Sequence, residues 1–170
     1  MKLKLDLHTH CCEATGYREP TVEIVGRILE RIKVRELDGI AITEHHNKDY
    51  GFKVKEIVER FFGNGVLIIP GQEIDVRSHQ QEVELYLPDG STFRFLAHPG
   101  YPSNSYTVEN VQGIEIDNDV HDGDINKAKV QTLAEKHGLL LLSNSDAHWL
   151  SDIGRYYNEI SLEELYARAK

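Results

Sequence analysis

The sequence predicts an α/β domain around a mainly parallel sheet, on three observations. Short apolar runs alternate with longer runs at helical spacing, turn residues separate them, and histidines and carboxylates gather just after the expected strand ends. In order, Leu3, Leu5 and Leu7 alternate with Lys4 and Asp6, the period of a strand. "PTVEIVGRILERIKVREL" sets Val22, Val25, Ile28, Leu29 and Ile32 at helical spacing behind Pro20, a good helix opener. "GIAIT" at 39–43 reads as a buried strand. A second helix is expected across 52–62, stopped by Gly63, Asn64 and Gly65, with "VLIIP" as the third strand. Strand, helix, strand, helix, strand implies parallel pairing.

The middle of the chain departs from this rhythm. Two alternating runs flank Pro88, Asp89 and Gly90, which predicts a β-hairpin near 82–97. Beyond it come a short strand at 113–116, a helix near 124–137 and a buried strand at 139–142. Without repeats, low-complexity tracts or a linker, residues 1–170 are expected to form a single domain.

A chain of 170 residues can close one core without disulfides, and Cys11 and Cys12, being adjacent, could not close a useful loop. No apolar run approaches the ~20 residues of a membrane span, and "MKLKLDLH" lacks the apolar stretch of a signal peptide, so a cytoplasmic protein with no membrane partner is expected. The net charge of −9 disfavours a broad grip on a nucleic-acid backbone. It leaves phosphate chemistry open, because bound cations reverse the local sign.

The nine histidines are placed tellingly. His8 and His10 follow the first strand, His45 and His46 the second, Glu73 the third, His98 the hairpin, and Asp146 and His148 the strand at 139–142. In a barrel or a doubly wound sheet those ends converge on one crevice. His8 and His10, two apart on a strand, point to the same side. Imidazole with carboxylate suits zinc, manganese or iron. A structural zinc site closes at four ligands, and a set of roughly twice that size predicts several cations with open positions.

The segments "DLHTH" at 6–10, "AITEHH" at 41–46, "PGQEI" at 70–74, "LAHPG" at 96–100, "GIEIDN" at 113–118 and "SNSDAH" at 143–148 resemble, in order, the signature of the PHP family, the polymerase and histidinol phosphatase domains. The resemblance implies a distorted, compact (β/α)7 TIM-like barrel with two or three divalent ions at its C-terminal mouth. It implies His8, His10, Glu73 and Asp146 as ligands of a first ion, and Glu73 bridging to a second with His98 and His79. A third would be held by His45, His148 and an acidic residue of the first loop. That loop departs from the family: Thr15 stands where an aspartate would align, and Glu13 is taken as its substitute. His79 has an exposed strand-edge histidine as its alternative, and Glu115 and Asn118 are expected to orient ligands.

The activity implied is hydrolysis of a phosphate ester by a metal-activated bridging hydroxide, on a phosphorylated small molecule or the end of a short nucleic acid. His46 or His121 would protonate the leaving oxygen, and Arg155, with Arg18 and Arg77 as alternatives, would clamp the phosphate. Loops 47–52 and 101–110 would wall the pocket. Two rivals keep the same cluster: an amide or lactone hydrolase, and a non-catalytic metal-binding module.

Overall fold

Side-chain alternation decides how each strand is used. In β2 (Gly39–Ile42), Ile40 and Ile42 join an apolar cluster with the helices, whereas the small Ala41 joins a second cluster on the other face. The computed structural model describes residues 1–77 and 79–170. The other strands are β1 (Leu3–Asp6), β3 (Leu67–Val76), β4 (Gln80–Tyr86), β5 (Thr92–Leu96), β6 (Gly113–Asn118), β7 (Leu140–Asn144) and β8 (Asn158–Ile160). The helices are α1 (Cys11–Ala14), α2 (Val22–Val34), α3 (Lys48–Phe61), α4 (Lys127–His137) and α5 (Leu162–Tyr166).

The strands make one eight-stranded sheet in the order β7-β6-β5-β4-β3-β2-β1-β8, curled into a nearly closed barrel. β1, β2 and β3 pair in parallel, as do β5, β6 and β7. Between them β3, β4 and β5 form an antiparallel meander, which is the predicted hairpin plus one further pairing. The seven expected strands are present, and β8, antiparallel to β1, is an addition. At three residues it is too short to leave a periodic trace.

Inside the barrel Leu5, Leu7, Ile69, Val83, Leu85, Phe93 and Phe95 form a core in which each is essentially inaccessible to solvent. Outside, α2 and α3 press Ile28, Ile32, Val54 and Val58 onto Ile40, Ile42 and Ile68, each such burial worth about 1.5–3 kcal/mol. α4 covers Leu96 and Ile114 with Val130 and Ala134. Side-chain caps fix the helix starts: Thr21 accepts from Ile24 N–H, Asn47 from Tyr50 N–H and Asn126 from Lys129 N–H. The Asn47 cap corrects one expectation. Residues 48–52 are the first turns of α3 and not a loop, because the helix starts immediately after His46.

β6 also runs beyond its expected end, with a register irregularity between Glu115 and Asp117. That irregularity lets Glu115 and Asn118, three apart, lie on one face, where Asn118 Nδ2 donates to Glu115 Oε2 at 2.9 Å.

Candidate metal centre

β1 delivers His8 and His10 to the barrel mouth with both side chains fully buried. Between them Thr9 turns the other way, donating its hydroxyl to Ala41 O at 2.6 Å. Glu73 projects from the middle of β3, and its carboxylate lies 3.3 Å from His8 Nε2, 3.5 Å from His10 Nε2, 3.1 Å from His45 Nδ1 and 3.0 Å from His98 Nε2. Asp146 reaches in from the turn after β7, 3.3 Å from His8 Nε2 and 3.0 Å from His10 Nε2. His98 and Asp146 have φ of 25° and 53°, a left-handed backbone that costs non-glycine residues about 1–3 kcal/mol each. Strain of this kind persists where the surroundings fix the side chain.

Three overlapping groups have ligand atoms within 4.8 Å of one another: His8, His10, Glu73 and Asp146; His10, Glu13, His45 and His148; and His98, His121 and Asp146. In the second group Glu13 lies 3.6 Å from both His45 Nε2 and His148 Nε2. α1 places it there: the buried Glu44 accepts Cys12 N–H at 2.7 Å at the start of that turn, and Thr15 returns its hydroxyl to Cys11 O. The groups differ in access. The first is sealed, whereas the side chains of His45, His148 and Glu13 are 42%, 31% and 23% exposed.

Proton placement tests whether these residues fit a cation. His8 Nδ1 stands 2.7 Å from Glu115 Oε1, and an ionised carboxylate only accepts, so Nδ1 carries the proton and Nε2 presents its lone pair. That lone pair faces carboxylate oxygens of Glu73 and Asp146, while Asp146 Oδ1 is buried with no hydrogen-bond partner. Acceptors aimed at acceptors are favourable only around a positive charge. Without a metal a proton takes that part: burial would lower the His8 pKa, yet Asp146, Glu115 and Glu73 raise it well above its ordinary value. Conversely, burial would raise Glu73 and Asp146, and the neighbouring histidines hold both below the usual carboxylate range. The donor set fits a divalent cation of the zinc, manganese or iron type.

The ligands are themselves held. Glu115 accepts from His8 Nδ1, from His98 N–H at 2.7 Å, from Asn118 Nδ2 and from Asn144 Nδ2 at 3.0 Å. Asn118 Nδ2 also reaches Asp146 Oδ2 at 3.2 Å. Asp6, fully buried, accepts Ser145 N–H at 3.1 Å, the Ser145 hydroxyl and Gly154 N–H at 2.9 Å, tying β1 to the turn that carries Asp146. Burial pushes its pKa up to about 6 against the lowering effect of those donors. Sequence reasoning passed over Asp6, Glu44 and Asn144. Their one sequence signal is a polar residue inside an apolar strand or beside a ligand.

Other predicted residues fall elsewhere. His46 pairs with Asp75 at 2.9 Å, both more than half exposed, outside the three groups found among the described residues. His79 is exposed and also outside them. Arg155 is engaged by Asp119 at 3.3 Å and Asp152 at 3.4 Å, and Arg77 by Glu109 at 2.7 Å. Cys11 is buried and Cys12 partly so; burial raises both thiol pKa values, and neither joins a ligand group. His121 stands next to His98, with ring centroids 4.4 Å apart.

Residues 125–168 match the family model described as PHP-associated. No curated protein matches the chain by sequence. Among solved structures it is similar to PsfC from Pseudomonas syringae, with TM-score 0.69 and 18% identity over 99% of this chain and 89% of that one. It is similar to a proposed metal-dependent phosphoesterase from Bifidobacterium adolescentis, with TM-score 0.72 and 12% identity over 98% and 96%. It is also similar to an amidohydrolase from Chromobacterium violaceum with bound sulfate and no metal, with TM-score 0.68 and 16% identity over 98% and 97%.

Proposed function

We propose that this chain, a PHP-family domain by its family match and its fold, is a metal-dependent hydrolase that cleaves phosphate esters. The observation that carries the reading is Glu73, one buried carboxylate within 3.5 Å of four imidazoles from four segments of the chain. Divalent cations held by His8, His10, Glu13, His45, Glu73, His98, Asp146 and His148 would supply Lewis acidity toward a phosphoryl oxygen and water acidified for attack.

The remaining work falls to the protein. Glu115 keeps the His8 proton on Nδ1, so that Nε2 stays available, and Asn118 holds one Asp146 oxygen so that the other faces the centre. Access is from the side of Glu13, His45 and His148, because the inner group is sealed. An anionic substrate approaching this acidic chain is drawn by the local charge of the loaded site and not by the surface as a whole. Arg155 could clamp a phosphate only by giving up Asp119 and Asp152.

The phosphate reading is supported by the phosphoesterase among the similar structures and by the sulfate, an oxyanion of phosphate shape, on the similar amidohydrolase. That amidohydrolase also keeps an amide substrate as the second reading. One comparison decides: purified protein loaded with zinc or manganese is assayed on nitrophenyl phosphate and nitrophenyl acetate beside Asp146→Ala. The phosphate ester should be the better substrate, and the variant should lose bound metal and about 100-fold or more of its turnover. Unchanged turnover in the variant overturns the mechanism; faster acetate cleavage transfers it to the second reading.

A further inference from the structure

We propose that His121 is a metal ligand, completing with His98, Asp146 and Glu73 a cation site whose fourth donor the sequence pattern had sought at His79. The proposal rests on the metal-centre reading above and assigns one of its sites. Ligand atoms of His98, His121 and Asp146 lie within 4.8 Å of one another, although they come from three separate turns, those after β5, β6 and β7. Glu73 Oε2 is 3.0 Å and Asp146 Oδ2 is 3.9 Å from His98 Nε2.

The protons lie on the far sides of both rings. His121 Nδ1 is 3.1 Å from Asp124 Oδ2, and His98 Nδ1 is 3.2 Å from Tyr101 O. A carboxylate and a carbonyl only accept, so each Nδ1 donates and each Nε2 is left with a lone pair. His98 Nε2 turns that lone pair toward Glu73 and Asp146, which accept as well. Imidazole backed by a carboxylate on its other nitrogen is the arrangement that fixes a metal-binding tautomer and raises ligand basicity. A proton donor for the leaving group would need the opposite, a proton on the nitrogen facing the substrate.

His121 is also held in place. Its backbone N–H donates to Asn118 Oδ1 at 2.9 Å, and the same amide reaches Asp146 Oδ2 through Nδ2, so one side chain sets two ligands. The Tyr101 ring stacks on His121 with centroids 4.1 Å apart and planes 22° from parallel. Gly100 lets the two turns touch: a Cβ there would stand 2.1 Å from Asp124 O. By contrast, His79 is exposed and outside the three groups.

The test counts metal and does not depend on turnover. Wild type, His121→Ala, His121→Gln and Asp124→Asn are loaded with zinc or manganese, and equivalents per chain are measured by elemental analysis and by competition with a chromogenic chelator. Circular dichroism checks folding. The two His121 variants should hold one equivalent fewer than wild type. Asp124→Asn should keep the full number at saturation, with affinity for one ion about 10- to 100-fold weaker. Should His121→Ala fail to fold, His121→Gln and Asp124→Asn carry the decision. Folded His121 variants with wild-type stoichiometry and affinity overturn the assignment, even if turnover falls, and return His121 to proton transfer. A wild type that takes up metal while the variants do not differ defeats this proposal alone; a wild type that takes up none defeats the metal centre with it.

Discussion

At the scale of single residues, the site is shaped by groups that no substrate touches. Glu44 is the sharpest case: it accepts Cys12 N–H at the start of α1, the turn that carries Glu13, yet burial pushes its pKa from 4.5 up to about 8. The folded chain therefore keeps the Glu44 proton up to about pH 8, while the unfolded chain releases it near pH 4.5. Across that window the folded state binds more protons, so this residue's contribution to stability is full below the window, falls as pH rises through it and is flat above. Glu44→Gln, neutral throughout, should remove this part of the pH dependence. Urea unfolding of metal-free protein across the window measures it; identical slopes for the two proteins would exclude the assignment.

Among the elements, it is the turns after the strands that bring the ligands together, and they depend on close backbone approach. Gly100 has φ of 112°, and a side chain there would run into Asp124 O. Gly100→Ala should lower stability by about 1–3 kcal/mol and weaken cation binding at His98 more than at Glu13, measured by urea unfolding and by metal titration. A variant as stable as the parent would show that the two turns can separate freely. Strands and helices could be read from the sequence because each has a period. The irregularity in β6 could not, since an extra residue shifts pairing without changing composition; it is what puts Glu115 and Asn118 on one face. α1 was missed for a related reason: four residues make a single turn, and a single turn has no periodicity.

Across the whole molecule, the barrel is finished by side chains where backbone pairing stops. Asn158 of β8 accepts Ser143 N–H at 2.8 Å and donates to Asn144 Oδ1 at 2.9 Å and to Leu5 O at 3.1 Å, joining β7, β8 and β1. Asn158→Ala leaves those partly buried groups unmatched, about 1–3 kcal/mol for each that stays unsatisfied, and should lower the thermal midpoint. An unchanged midpoint would mean that water replaces the amide. Closure of this kind depends on contacts between Leu5, Ser143 and Asn158, residues far apart along the chain, which no local pattern records. The converging strand ends were legible because a parallel sheet sends them all to one side, and His8, His10, Glu73, His98 and Asp146 do meet there. The neighbour of His98 was not, because His79 and His121 differ only in how their turns bend.

The unequal exposure of the ligand groups has a consequence for loading. Ions bound among His8, His10, Glu73 and Asp146 would have to arrive before the outer histidines are occupied and depart after those are vacated. Filling and emptying thus follow a fixed sequence, last in and first out, and a partly stripped protein keeps its innermost ion.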